Sequence, residues 1–198
     1  IESATGSIIF ETGASILTVA NVLSINQTAG VISAAYSGPV AGTYCIWNST
    51  AQPYDKWFHF TCYLDKSAAI ANGARVYING VLNGTVGLTT ASTGGTFSNE
   101  PFYVGARGGS SVFFKGKVKD ARICSYTGTF SADDALSLYQ NTVPSNFTVI
   151  DRWVGEDVGT TAVDTGTNLK NLTLTSVTYS TSVPCKARTN ASARTAAA

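Results

Sequence analysis

Short extended segments, each ended by glycine, asparagine or serine, recur along most of this 198-residue chain. The candidate strands with this pattern cover residues 7–11, 15–20, 30–36, 43–47 and 101–104. Regularly spaced short strands with frequent turns are typical of a β-sandwich or a β-barrel. The sequence therefore predicts an all-β fold.

The clearest candidate strand covers residues 57–65. Successive side chains of a strand point to opposite faces, and here both faces carry bulky residues. Phe58 and Phe60 lie on one face, whereas Trp57 and His59 lie on the other. We therefore expect a central strand that is buried on both sides.

The dipeptide Asn79-Gly80 separates the apolar segments 75–78 and 81–82. A type I′ turn needs positive φ at both central residues, which Asn-Gly tolerates, so this pattern predicts a β-hairpin. Further along, residues 111–124 are predicted as a long extended segment with an interruption at Gly116.

One short helix is predicted at residues 131–139. Ser131 is a suitable N-cap, and Asp134 three residues later completes a carboxylate variant of the capping box. Asp133 and Asp134 also lie at the positive end of the helix dipole, where negative charge stabilises the helix.

The composition argues against two classes of partner. Thirteen Lys and Arg balance twelve Asp and Glu, which leaves a net charge of +1, and charged residues are 13% of the chain. Nucleic-acid binding needs a clustered basic face, so we expect none. The best apolar run, 16–25, is interrupted by polar residues, so we expect no membrane span.

The chain contains no Met, which predicts a removed leader or a piece of a longer protein.

The four cysteines are Cys45, Cys62, Cys124 and Cys185. None of them forms a CxxC pair, which argues against a zinc or redox site. We expect two disulfides and an oxidising compartment, with buried free thiols as the alternative. Cys45 and Cys62 lie on consecutive predicted strands, which favours their pairing, and Cys124 would then pair with Cys185.

Several motifs follow one another in a fixed order between Trp57 and Tyr139. They are Trp57-Phe58-His59, Val76-Tyr77-Ile78-Asn79-Gly80, Val104-Gly105, Phe114-Lys115-Gly116, Asp120-Ala121-Arg122-Ile123 and the predicted helix. This order resembles that of laminin-G-like and pentraxin domains, which belong to the concanavalin A-like lectin/glucanase superfamily. The resemblance implies an antiparallel jelly-roll β-sandwich with one short helix.

The segment after Pro144 departs from that family order. Residues 156–164 have the form Glu-x-x-Gly-Thr-x-x-x-Asp, which resembles the opening of such a domain. Either the strand order is permuted or a second repeat begins here. We predict a sandwich over residues 1–144, further strands over 145–185 that pack on it or on a neighbour, and an extended tail over 186–198.

The resemblance also implies candidate ligand sites. Sugar binding in this fold uses rim aromatics with a nearby amide, which indicates Trp47, Asn48 and Tyr54, although ordinary packing is the alternative for these residues. Calcium is an optional cofactor, bound at the sandwich rim by loop carboxylates. The available carboxylates are those of Asp65, Asp120, Asp157 and Asp164.

Catalysis is not expected. Glycosidases need two carboxylates placed on either side of the scissile bond, whereas the adjacent Glu156 and Asp157 would face opposite ways on a strand. The single histidine, His59, has no evident nucleophile beside it and is interpreted as a core residue.

Two functions are consistent with these features. The first is a non-catalytic carbohydrate- or surface-binding module, whose partner is a glycan or surface polymer. The second is an assembly subunit of a virus particle or an extracellular filament. Both predict an extracellular, cell-surface or virion-surface location. In a eukaryotic source, the glycosylation sequons would be those at Asn26, Asn48, Asn83, Asn146, Asn171 and Asn190.

Overall fold

A computed structural model of the chain describes residues 6–13, 16, 18–53, 56–69, 72–90, 94–154 and 160–174. The described residues form one helix, α1 (Ala132–Tyr139), and thirteen strands. The strands are β1 (Ser7–Thr12), β2 (Leu23–Thr28), β3 (Val31–Ser37), β4 (Tyr44–Asn48), β5 (Phe60–Leu64), β6 (Ala74–Ile78), β7 (Val81–Asn83), β8 (Thr85–Thr89), β9 (Phe102–Val104), β10 (Ala121–Tyr126), β11 (Phe147–Trp153), β12 (Thr161–Ala162) and β13 (Leu172–Thr173).

The chain divides into two compact units. The first comprises Ile1–Gly116 and Tyr126–Phe147, and the second comprises Lys117–Ser125 and Thr148–Ala198. The predicted domain boundaries at 144 and 185 stay predictions, as does the packing of residues 145–185, and the predicted tail lies outside the described residues.

The first unit contains a six-stranded sheet in the order β8-β4-β3-β2-β1-β9. All of its strand pairs are antiparallel. Strand β2 was not among the predicted strands, whereas 15–20 was predicted as one and is not a strand in its described part. The chain turns there instead, since Asn21 adopts a positive φ of 61°.

The second sheet of this unit has the order β5-β6-β7. The predicted hairpin is confirmed: Asn79 and Gly80 join β6 to β7 with φ angles of 51° and 82°. The prediction that residues 57–65 form a central strand is wrong. β5 begins only at Phe60 and pairs with β6 alone among the described strands, so it is an edge strand, and Trp57 is exposed.

The two sheets enclose an apolar core. Ile32, Ala34 and Tyr36 of β3 are fully buried, as is Val76 of β6. The rings of Phe10 in β1 and Phe60 in β5 lie 6.2 Å apart. Alternating residues of antiparallel strands thus supply the core, as a sandwich requires. The predicted all-β, antiparallel sandwich is confirmed.

The predicted helix is confirmed together with its cap. The Ser131 hydroxyl accepts a hydrogen bond from the backbone N–H of Asp134, and the Asp134 carboxylate accepts one from the backbone N–H of Ser131. Among the described residues, no helix is long and apolar enough to cross a membrane.

The second unit contains the pairs β10-β11 and β12-β13. The predicted long segment 111–124 is a strand only in its last part, because β10 begins at Ala121 and ends at Tyr126. Val112 and Asp120 have positive φ angles of 50° and 56°, which are incompatible with continuous extended backbone. Within the predicted strands over 145–185, the described residues after Asp164 form a strand only at Leu172–Thr173.

The predicted Cys45–Cys62 disulfide is wrong, because both residues carry thiols. Cys45 lies in β4 of one sheet and Cys62 in β5 of the other. Facing sheets are about 10 Å apart, farther than the ~7 Å limit between the Cα atoms of a disulfide. Cys124 also carries a thiol, and its predicted partner, Cys185, lies outside the described residues.

Candidate functional site

An open cleft of about 380 Å³ lies where the chain leaves β5. Its volume is near the lower end of the ~300–1,000 Å³ range of small-molecule sites. All of its lining residues belong to the first unit. We call it the Lys66 cleft; its lining residues are Leu64, Asp65, Lys66, Ser67, Gly95, Thr96, Phe97, Tyr126 and Gly128.

Phe97 gives the cleft an accessible aromatic surface. It is 37% exposed, although its ring packs edge-on against Tyr36 at a centroid distance of 6.2 Å. Edge-to-face packing fixes the orientation of an aromatic ring. Phe97 is therefore a partly exposed apolar surface whose ring packs against Tyr36.

Asp65 gives the cleft a fixed carboxylate. Its Oδ1 accepts hydrogen bonds from the backbone N–H and the hydroxyl of Ser67, and its Oδ2 accepts one from the Tyr63 hydroxyl at 2.9 Å. Burial raises the pKa of Asp65, but the hydrogen bonds from Ser67 and Tyr63 outweigh burial and hold the pKa below its usual value. Asp65 therefore stays charged at neutral pH.

Lys66 is a buried cation in the wall of the cleft, only 4% exposed. Its Nζ donates to Asn21 Oδ1 at 2.5 Å and to the backbone oxygen of Thr96 at 3.4 Å. It also lies 5.4 Å from the centre of the Phe97 ring, a cation–π distance. Burial lowers its pKa, because an apolar environment disfavours the charged form.

Trp47 and Asn48, two of the predicted sugar-binding residues, do not line the Lys66 cleft. Trp47 is 9% exposed, and its indole N–H donates to the backbone oxygen of Asn83 at 2.7 Å, so its ring is part of the core. Asn48 is half-buried, and its Oδ1 accepts a hydrogen bond from Ser33 Oγ at 2.7 Å. Tyr54 lies outside the described residues. The packing alternative thus explains Trp47.

Asn48 belongs to a polar row that crosses the six-stranded sheet. Asn26, Ser33, Asn48 and Thr85 are directly opposite one another on β2, β3, β4 and β8. Directly opposite residues share a face of the sheet. The row is half-buried to exposed, so this face is more polar than the one that meets the second sheet.

The carboxylates predicted for calcium are engaged by donors of the protein. Asp120 is paired with Arg122 and Arg152, and Asp164 accepts three backbone N–H groups. Asp157 lies outside the described residues, which contain no group of three or more acidic, His or Cys side chains able to hold a metal. As arranged, the described carboxylates do not fit a calcium site.

The predicted sequon asparagines have structural partners in four cases. Asn48 and Asn83 accept hydrogen bonds from Ser33 and Thr50, respectively. The amide of Asn146 donates to the backbone oxygen of Thr127, and Asn171 accepts from the backbone N–H of Asp164. Asn26 is half-buried in β2, and Asn190 lies outside the described residues. Glycosylation stays a prediction at all six.

His59 is half-buried next to the hairpin and the helix. Its backbone N–H donates to Asn79 Oδ1 at 2.9 Å, and its ring lies 5.8 Å from that of Tyr139. These contacts give His59 a packing role at this junction.

Sequence reasoning missed Lys66 and Phe97, and it assigned Asp65 to calcium. A usable signal was present, because an Asp followed two residues later by Ser, directly after a strand, is a typical turn that fixes a carboxylate. Nothing local in the sequence indicates that Lys66 is buried.

A family model described as the concanavalin A-like lectin/glucanases superfamily matches residues 2–135. The chain therefore belongs to this superfamily. A search of the curated proteins and a search of the solved structures each found no match to the chain.

Proposed function

We propose that this member of the superfamily is a non-catalytic module that binds carbohydrate at the Lys66 cleft. The observation that carries the proposal is the exposed ring of Phe97 in a small cleft that also holds Asp65, Lys66 and Ser67. The location implied is extracellular, at a cell surface or on a virion.

The chemistry of a sugar matches this combination. One face of a pyranose ring carries C–H groups, which bury favourably against an aromatic ring. Its hydroxyls need hydrogen-bond partners, and the cleft offers the hydroxyl of Ser67, the carboxylate of Asp65 and backbone groups of its glycines. An apolar surface with a few oriented polar groups is typical of small-molecule sites.

Binding without catalysis is supported by the charged groups of the cleft. Asp65 is the one carboxylate among its lining residues, and its oxygens are already held by Ser67 and Tyr63. Glycoside hydrolysis requires two carboxyl groups about 5–9.5 Å apart, one of them acting as an acid. The Lys66 cleft thus lacks the second carboxyl group among the described residues.

A glycan array with the purified chain tests the proposal, followed by titration of the best ligand against variants. Phe97→Ala should weaken binding about fivefold to tenfold, which is ~1 kcal/mol of lost ring contact. Phe97→Trp should retain binding, because it keeps an aromatic platform. Phe113→Ala is the matched control, since Phe113 is also exposed but does not line the cleft.

An array without a bound glycan would contradict the proposal, as would equal losses in the Phe97→Ala and Phe113→Ala variants. Thermal melting of each variant separates a binding defect from unfolding.

Assembly of copies of this chain is the second candidate, favoured by strand β7. β7 pairs only with β6 among the described strands and exposes Val81 by 67% and Leu82 by 47%. Exposed apolar edge strands are templates for pairing with another chain. Sedimentation of the wild type against Val81→Lys tests this: a self-assembling chain should dissociate in the variant, whereas a monomeric wild type rules the candidate out.

A further inference from the structure

Lys66 carries a buried charge that no acidic group among the described residues neutralises at close range. Its polar partners are the amide oxygen of Asn21 and the carbonyl oxygen of Thr96, and its third neighbour is the ring of Phe97. All three are neutral. Buried ammonium groups are normally paired with an anion, because removing an unpaired charge from water is expensive.

Asp65 is the adjacent residue but does not serve as the missing anion. Its carboxylate is directed to Ser67 and Tyr63, and it forms no ion pair with Lys66 within 4.0 Å. Among the described residues, Lys66 therefore has no salt-bridge partner. Lys66 therefore places a local surplus of positive charge in the wall of an open cleft.

Gly95 lies beside the ammonium group and places no side chain against it. A Cβ atom added to Gly95 would lie 3.6 Å from Lys66 Nζ and 3.3 Å from Asn21 Oδ1. The backbone of Gly95 has a φ of +77°, which side-chain-bearing residues rarely adopt, so this loop geometry favours glycine beside Lys66. An ammonium group has three N–H donors, of which Asn21 and Thr96 occupy two.

We propose that the Lys66 cleft selects acidic saccharides, whose carboxylate binds the ammonium group of Lys66 beside Gly95. The inference rests on the proposed carbohydrate-binding function. The one remaining N–H donor of Lys66 suits a carboxylate oxygen, whereas the sugar ring itself would lie on the adjacent Phe97. The charge-assisted hydrogen bond would be stronger than one to a neutral hydroxyl.

The test compares acids with their own methyl esters, so that only the charge differs. The probes are D-galacturonate, D-glucuronate and N-acetylneuraminate, each titrated with its ester into the intact wild-type chain by calorimetry. We expect at least one acid to bind at least tenfold more tightly than its ester. That preference should weaken as salt is added, since salt screens charge interactions.

Two variants assign the preference to Lys66. Lys66→Met should bind the acid no more tightly than its ester, because the charge that distinguishes the two probes is removed. Lys56→Gln is the matched control, because Lys56 is exposed and does not line the cleft. It should keep the wild-type preference.

The outcomes separate this inference from the proposed function. If wild type binds neutral glycans or the esters, but no acid more tightly than its ester, acid selection is overturned and carbohydrate binding stands. If it binds neither these probes nor any glycan on the array, the proposed function fails as well. A preference that survives in Lys66→Met also overturns the assignment, and the wild-type comparison decides even if this variant does not fold.

Discussion

Lys66 in the first unit and Asp164 in the second are both buried charged residues, but their surroundings differ. Asp164 accepts hydrogen bonds from the backbone N–H groups of Arg152, Gly166 and Lys170, each at 2.7 Å. Lys66 has two neutral oxygens and an aromatic ring. The carboxylate of Asp164 binds backbone N–H groups of its own unit, whereas the ammonium group of Lys66 has no charged partner among the described residues. We interpret the first as structural and the second as functional.

The partners of Asp164 explain why this carboxylate stays ionised. Burial raises its pKa, but the backbone N–H groups of Arg152, Gly166 and Lys170 outweigh burial and lower it. Three donors converging on one carboxylate are hard to replace, because each N–H would be left without an acceptor.

Replacing Asp164 should have the largest effect. Asp164→Ala is expected to cost about 3 kcal/mol or more of stability in the second unit, since charge-assisted hydrogen bonds contribute ~1.5–3 kcal/mol each. Hydrogen exchange of the Trp153 indole N–H, which donates to the backbone oxygen of Lys170, reports this loss. Asp164→Asn, which keeps one acceptor oxygen, should lose less. Unchanged exchange in Asp164→Ala would contradict the structural role.

Replacing Asp120 should lower the stability by an intermediate amount, and this loss should depend on pH. Burial raises its pKa, but hydrogen bonds and charge from Arg122 and Arg152 outweigh burial and hold the pKa at about 2. Because the folded pKa lies below the unfolded value of about 3.9, its stabilisation is present above that value and is lost as pH falls towards 2. Its side chain is 28% exposed, so we expect about 1–2 kcal/mol at pH 7.

Urea denaturation of the wild type and of Asp120→Asn between pH 2 and pH 7 measures this contribution. The two stability curves should converge at the acid end. Curves that stay parallel over the whole range would show that the pairing with the two arginines contributes nothing.

Asp151 should show the opposite dependence on pH. Burial, followed by a hydrogen bond to Asp164, raises its pKa, so the folded state favours the protonated form. Stability is therefore full at low pH and is lost as pH rises through the raised pKa. The charged groups facing it among the described residues are Asp164 and Lys170.

Asp151→Asn replaces the carboxylic acid with an amide that can still donate to Asp164. We expect it to stabilise the protein relative to the wild type more at pH 8 than at pH 4. Denaturation at the two pH values measures the difference. Equal effects at both pH values would show that Asp151 is not protonated on folding.

Replacing Lys66 should have the smallest effect on stability. Lys66→Met removes a buried charge and keeps an apolar chain beside Phe97, so the free energy of unfolding should change by less than about 1 kcal/mol. Thermal melting of this variant beside Asp164→Ala compares the two charges directly. A loss as large as that of Asp164→Ala would show that Lys66 is structural too.

Part of the fold could be predicted because its causes are local. The Asn79-Gly80 turn depends on the φ preferences of two residues, and the cap of α1 depends on Ser131 and Asp134, three positions apart. The edge position of β5 and the separation of Cys45 from Cys62 depend on which strands pair over long distances. No local pattern contains that information.

The sequence by itself determined the strand-and-turn character of the chain, its one capped helix and its superfamily, because each follows from residues that are close together or in a recognisable order. Only the tertiary structure decided the candidate site. Lys66 meets Asn21 across 45 positions and Thr96 across 30, and the partners and burial of such a side chain exist only after the loops have packed. Burial and charge pairing depend on tertiary packing, so the sequence alone does not distinguish Lys66 from an ordinary surface lysine.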